Sequence, residues 1–200
     1  AFLGVVNFGF AQNSFEGIIS IEYKQGVTSQ AFQWKINGND VSLETNMAAD
    51  GKIYFSRFIP DQARGEVLVL SKTPTGNSFY YANVQREELQ IGEVRKTGVA
   101  KEIHGYSCEQ IIIESDKYII ESWVADIGFD LAAYASFFQN FFDLKGLEKA
   151  GIAGFPLMSI VTDKAGNTVS KTVTSEIVEE EVSQETFAIP SGYEEIKFSK

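Results

Sequence analysis

The chain is poor in the residues that carry out chemistry. It has one cysteine (Cys108) and one histidine (His104) among 200 residues. A lone cysteine excludes an intrachain disulfide, so the fold must stand on its core, where a free cysteine is usually buried and inert. A lone histidine excludes multi-histidine metal sites and any reaction that needs two imidazoles. The four prolines are scattered, and no Ser/Gly/Pro tract separates two halves, so a single domain is expected. Positive charge is scarce: 17 Lys and Arg face 27 Asp and Glu, for a formal net charge of −10. Nucleic-acid binding needs clustered cations and is excluded, as is docking on an anionic membrane through a basic patch. No later segment offers the ~18 continuous apolar residues of a membrane-spanning helix. Gly-rich phosphate loops, nucleophile elbows and zinc-protease helices are also missing. The run Glu179, Glu180, Glu181 lacks the spacing of a calcium loop and reads as a solvated stretch. These absences predict a protein that is not an enzyme and carries no metal or cofactor.

What the chain does have is apolar mass. Hydrophobic residues make up 44% of it, with 16 phenylalanines, which predicts a thick aromatic interior. Period-two alternation dominates. Phe15, Ile19, Ile21 and Tyr23 share one face, and Phe32, Trp34 and Ile36 alternate with polar partners. Val41, Leu43 and Met47 begin a third strand, and Asp50-Gly51 marks a hairpin into Ile53 to Phe58. Further strands are predicted at 66–71, 79–84, 108–114, 118–125, 158–162 and 168–178, the last with Val169, Val173 and Ile177 on one side. Phe187 to Pro190 reads as a short final strand or extended tail, and 87–93 as a weaker segment that could be loop. Short turns between such strands imply antiparallel neighbours, and their number implies a strongly curved sheet or barrel.

From Asp130 to Lys149 the period changes. Leu131, Tyr134, Phe137, Phe138, Phe141 and Phe142 fall on one stripe of an α-helix. Asp130 suits its N-cap, Lys145 and Lys149 its C-terminal end, and Gly146 or Gly151 its stop. The fold class expected is therefore mainly β (α+β). It is a strongly curved antiparallel half-barrel of about ten to eleven strands, with one main amphipathic helix packed in or across its concave face. Such a helix either plugs the sheet as solid core or lines an apolar pocket. Trp34, Phe137, Phe138, Phe141 and Phe142 are the candidate ligand-binding residues, and Gly146, Gly151 and Gly154 the hinge. Asp126 and Asp130, flanking the loop before the helix, read as loop and cap rather than an acid pair. His104 and Cys108 would stand ~13 Å apart in an extended chain, with no third group to orient them.

At the amino end, Ala1 to Phe10 is apolar apart from Asn7. Gly9 and Ala11 suit the small-residue subsites of signal peptidase, with cleavage before Gln12. Residues 1–11 are thus expected to be the tail of a secretory signal and 12–200 the domain, placed in a bacterial periplasm or outside the cell.

Thr97-Gly98, Lys101, Ile103, Gly105-Tyr106 and Cys108-Glu109 are followed by a strand and Trp123-Val124-Ala125-Asp126. Together with Phe15-Glu16-Gly17 and the closing Phe187, Ile189-Pro190 and Gly192-Tyr193, they resemble the signature of an uncharacterised family of secreted bacterial proteins. That family is similar in fold to the lipoprotein carriers LolA and LolB. The resemblance spans roughly 14–196 and implies a half-barrel of about eleven strands whose hollow, lidded by helices, binds acyl chains without catalysis. Neither Arg57 nor Arg64 matches a motif that would make it the barrel arginine of LolA. The implied partner is a hydrophobic small molecule, a lipid or a lipoprotein. The alternative is a structural or protein-interaction module of the envelope with a solid core and no ligand.

Overall fold

A computed structural model of the chain describes residues 14–84, 91–138 and 144–197. The expected signal remnant (1–11) and two of the candidate residues, Phe141 and Phe142, lie outside the described residues. The first half is an unbroken meander: β1 (Glu16–Gln25), β2 (Thr28–Asn37), β3 (Asp40–Ala49), β4 (Lys52–Asp61), β5 (Glu66–Thr73) and β6 (Gly76–Asn83). A second run follows with β7 (Ile91–Ile103), β8 (Tyr106–Ser115) and β9 (Tyr118–Ala125). After a covering segment come β10 (Phe155–Asp163), β11 (Thr168–Glu179) and the two-residue β12 (Glu194–Glu195). The turns are built as expected: Asp50 and Gly51 both take positive φ (52° and 69°), the conformation a two-residue hairpin turn requires.

The described strands form one open, curved sheet in the order β12-β6-β5-β4-β3-β2-β1-β11-β10-β9-β8-β7. β1 sits near its centre, paired with β2 on one side and β11 on the other. Every pairing is antiparallel except that of β12 with β6. The twelve strands exceed the ten to eleven expected. The surplus comes from β7, where bulges between Ile91 and Val94 and between Lys96 and Ala100 break the alternation that would announce a strand. Of Phe187 to Pro190, Phe187 closes a 3-10 turn, Gln184–Phe187, and Ala188 leaves it extended without forming a strand; the last strand falls later, on the edge of β6.

The single long helix is not what the described residues adopt. Asp130 caps a 3-10 turn, Leu131–Tyr134, and only Leu144–Lys149 (α1) is α-helical. Bulky aromatics are mediocre helix formers, so burial of the stripe rather than helix propensity sets this backbone. The described part of the stripe still faces inward, with Leu131, Tyr134 and Phe138 buried and Phe137 half-buried; Leu144 and Leu147 of α1 are buried as well. Gly151 ends α1 in the left-handed region (φ 63°). Ile152 N donates to Leu147 O and Gly151 N to Glu148 O, the pairing of a Schellman cap.

Both faces of β3 to β5 are covered. The inner face carries the main core, including Ile19, Ile21, Trp34, Leu43, Ile111 and Phe155. The outer face carries a smaller cluster of Ile59, Leu68 and Leu70, packed by Phe79, Tyr81 and Tyr193. There the C-terminal segment crosses the sheet: Asn37 Nδ2 donates to Val182 O, and Arg57 Nη1 to Thr186 O. Arg57 also meets Glu44 at 2.6 Å, and Lys35 completes the cluster at 3.1 Å from the same carboxylate. Arg57 therefore belongs to the outer face, and no barrel interior holds it.

Candidate functional site

Residues 126–138 and 144–154, between the end of β9 and the start of β10, cover the inner face as a strap. Its two ends meet at one neck. Asp130 Oδ1 accepts from Ala132 N (3.0 Å) and from Gly154 N (3.1 Å), while Leu131 N donates to Gly154 O (3.1 Å). Gly154 is there because nothing larger fits: a Cβ would lie 2.6 Å from Ala125 O. Asp126 accepts from Gly128 N at 3.0 Å, and Gly128 O accepts from Phe15 N at 3.1 Å, joining the strap to the start of β1. Asp126 and Asp130 thus serve as turn and cap. They line a cleft of about 340 Å³ at the neck, together with Ser14, Gly128, Phe129, Ala153 and Gly154.

Beyond the neck, Tyr134 stacks on Phe129 with ring centroids 5.5 Å apart, and its hydroxyl donates to Asn39 O. Burial, with the charge of Asp40 nearby, pushes the Tyr134 hydroxyl above its ordinary pKa. Phe138 meets Trp34 edge-on at 4.7 Å, and Phe155 meets the same indole at 6.0 Å. Trp34 is 0% exposed and Phe138 2%, while Phe137 is half-buried against the same core. The fold therefore brings three of the predicted residues, Trp34, Phe137 and Phe138, to one core. Of the proposed hinge glycines, Gly146 lies within α1 against Ile113, whereas Gly151 and Gly154 stand where the strap turns back to the sheet.

Register shows what the strap covers, because directly paired residues of antiparallel strands point to the same side. Ile19, Trp34, Leu43, Phe58, Val69 and Tyr80 form one inner row across β1 to β6. The next row reads Ile21, Phe32, Thr45, Ser56, Ser71 and Ser78. On the other side of β1, Ile21 pairs with Thr174 and Tyr23 with Thr172; Thr172 pairs with Ser159, and Ser159 with Ser122. The inner face thus bears a belt of hydroxyls beside an apolar row. Ser122 and Ser159 bond each other at 3.0 Å. Trp34 Nε1 and Thr174 Oγ1 are buried there without a hydrogen-bond partner among the described residues; Ser42 Oγ, on the outer face, is a third such atom.

Sequence reasoning missed this belt. Alternation in 168–178 set Val169, Val173 and Ile177 on one side. The register shift at Ser20/Ile21 leaves Ser175 unpaired and turns Thr172, Thr174 and Ile177 inward while Val173 faces out. The alternating Thr168, Ser170, Thr172 and Thr174 were the available signal, and buried hydroxyls run against the usual assignment of polar residues to the solvent side.

His104 and Cys108 go separate ways. His104 Nε2 contacts Thr174 O at 2.9 Å, whereas Cys108 is buried with its thiol 3.6 Å from Tyr106 O. Burial pushes the Cys108 thiol above its ordinary pKa, against the opposing charge of Lys101. Among the described residues no group of three or more His, Cys, Asp or Glu could hold a metal ion, and no helix is long and apolar enough to cross a membrane.

An open curved sheet with a strapped apolar inner face defines a class of architecture, and comparison with known proteins gives the family. The chain belongs to DUF4412, a domain of unknown function, whose family profile matches residues 15–193. Among solved structures, an uncharacterized conserved protein from Thermus thermophilus is similar over 92% of this chain and 91% of its own, at 8% identity and a TM-score of 0.55. PNGF-II is similar over 90% of this chain at 13% identity and a TM-score of 0.49, but the chain spans only 30% of its length. The MucA/MucB complex of Pseudomonas aeruginosa matches over 90% of this chain and 58% of the matched chain, at 8% identity and a TM-score of 0.42. A search of curated protein sequences finds no match. Of these three, the Thermus protein carries the fold comparison, and it agrees with the open sheet described above.

Proposed function

We propose that this chain is a non-catalytic binding or carrier domain for a lipid, a lipidated protein or another apolar ligand, working in the bacterial periplasm or outside the cell. One observation carries the reading: an apolar inner face is covered by a strap whose two ends are clasped together at Asp130 and Gly154. A cover anchored in this way can lift about its neck without unpairing the sheet. Leu131, Tyr134, Phe138, Leu144 and Leu147 are among the buried side chains that lifting would uncover. At roughly 1.5–3 kcal/mol each, full exposure costs on the order of 10 kcal/mol. An acyl chain that buries ~300 Å² gains about 7 kcal/mol at ~25 cal/mol/Å², so net binding requires that the ligand and the lifted strap keep much of this surface covered. The export expectation from Gly9 and Ala11 supports the compartment.

The close packing of Trp34 with Phe138 and Phe155 favours the second reading, an interaction module with a solid core. Native mass spectrometry of the purified protein, followed by organic extraction, separates the two. A reproducible lipid-sized adduct lost on extraction is expected for a carrier. A clean apo mass, unchanged after incubation with lipids and lipopeptides, would leave the interaction module as the account. A Phe137→Ser variant, altered at a half-buried position, should retain the fold and bind apolar ligand more weakly.

A further inference from the structure

We infer that the inner face recognises the carbonyl of an ester or amide that joins an acyl chain to its headgroup; the inference rests on the carrier reading above. The apolar row headed by Ile19 and Trp34 offers a wall for the chain. Beside it lies the hydroxyl belt, of which Thr172, Ser159 and Ser122 are buried and Thr174 is only 2% exposed. The belt is not self-sufficient. Among the described residues Thr174 Oγ1 has no partner, and neither has Trp34 Nε1 on the adjoining row. An indole N–H can only donate, and a threonine hydroxyl can donate as well as accept. What the face lacks is therefore an acceptor oxygen, and a buried polar group left unpaired is costly.

Charge narrows the chemistry. The paired positions of these two rows, and the Thr172–Ser159–Ser122 line, hold no Lys, Arg, Asp or Glu. On β2 to β4 the ionised groups Lys35, Glu44 and Arg57 sit on the opposite face. A phosphate or carboxylate at the belt would be desolvated with no counter-charge. A neutral carbonyl meets the hydroxyl donors without that penalty. The ligand class is an acylated molecule whose ester or amide linkage lies at the belt and whose charged portion, where it has one, stays outside.

The test compares 1-palmitoylglycerol with 1-O-hexadecylglycerol, an ether of equal chain length without the carbonyl, and with palmitate. Affinities are measured by calorimetry on the full chain and on Thr174→Val. In the wild type the ester should bind roughly fivefold tighter than the ether, the worth of one ordinary hydrogen bond, and palmitate should bind more weakly than the ester. Thr174→Val should lose that preference by weakening the ester alone, and its thermal midpoint should equal or exceed the wild type, since an unpaired hydroxyl has been removed. Equal binding of ester and ether, or equal loss of both in the variant, overturns the belt and leaves the carrier standing. If no probe binds, the carrier reading fails and the belt with it.

Discussion

At the scale of single residues, Glu44 holds the outer face together. Its carboxylate takes both Lys35 and Arg57, and Arg57 passes the contact on to Thr186 of the C-terminal segment. Removing the buried carboxylate of this partly buried cluster strands its two cations, at a cost of roughly 1–3 kcal/mol. Glu44→Ala should therefore lower the thermal midpoint clearly, and the double change Glu44→Leu with Arg57→Met should recover most of the loss in a denaturation series. Tyr106 offers a pH handle. Burial and the hydrogen bond to Glu179 (2.7 Å) raise its pKa to about 12, against about 10 in an unfolded chain. The folded state then holds the phenolic proton more tightly, so its contribution to stability is complete below pH 10 and is lost as pH rises towards 12. Thermal midpoints should fall less steeply over that window in Tyr106→Phe than in the wild type. Cys108, buried and with a raised pKa, should resist a thiol reagent at pH 8 in the native protein and react at once in denaturant.

At the scale of elements, the strap is where reading and structure part. Its apolar stripe and its cap, Asp130, are legible in sequence, because side-chain burial and capping chemistry are local. Its backbone is not legible. Leu131, Tyr134 and Phe138 keep their inward order in a 3-10 turn and an irregular bend, since a period of roughly three and a half is met by either path. Asp130 has a second duty that no local pattern announces: it clasps Gly154, on the far side of the strap. Asp130→Ala removes both bonds. It should cost about 1 kcal/mol of stability and speed amide exchange selectively in residues 131–138 relative to the sheet. Unchanged exchange there would argue against the neck as the strap's anchor.

At the scale of the molecule, the open sheet must protect two edges. β7 guards one with bulges, which twist an edge away from pairing. β6 is guarded by the chain's own Glu194–Glu195, with Ile196 N donating to Phe79 O. The same C-terminal segment sends Tyr193 onto the outer cluster of Ile59, Leu68 and Leu70. Truncation after Ser183 should uncover that cluster and the β6 edge together. The expected outcome is concentration-dependent self-association by light scattering, while the full chain remains unchanged over the same range.

By itself the sequence determined the mainly antiparallel architecture, the hairpin turns and the inward faces of β1 and β2, because alternation and turn chemistry are properties of neighbouring residues. Ile19, Ile21, Phe32, Trp34 and Ile36 are buried as their spacing predicts. Only the tertiary structure decided that β1 joins both halves, that β7 is a strand, and that Thr172 and Thr174 point inward. The first is a long-range pairing of β1 with β11 that no local pattern encodes; for β7 and the two threonines the reason is shared. Bulges shift register by one residue and reverse every side chain beyond them, and their positions depend on which strands lie alongside. The proposed carrier surface is thus legible in its phenylalanines, which any water-avoiding core must bury. Its hydroxyl belt is not, because it exists only where neighbouring strands bring their registers into line.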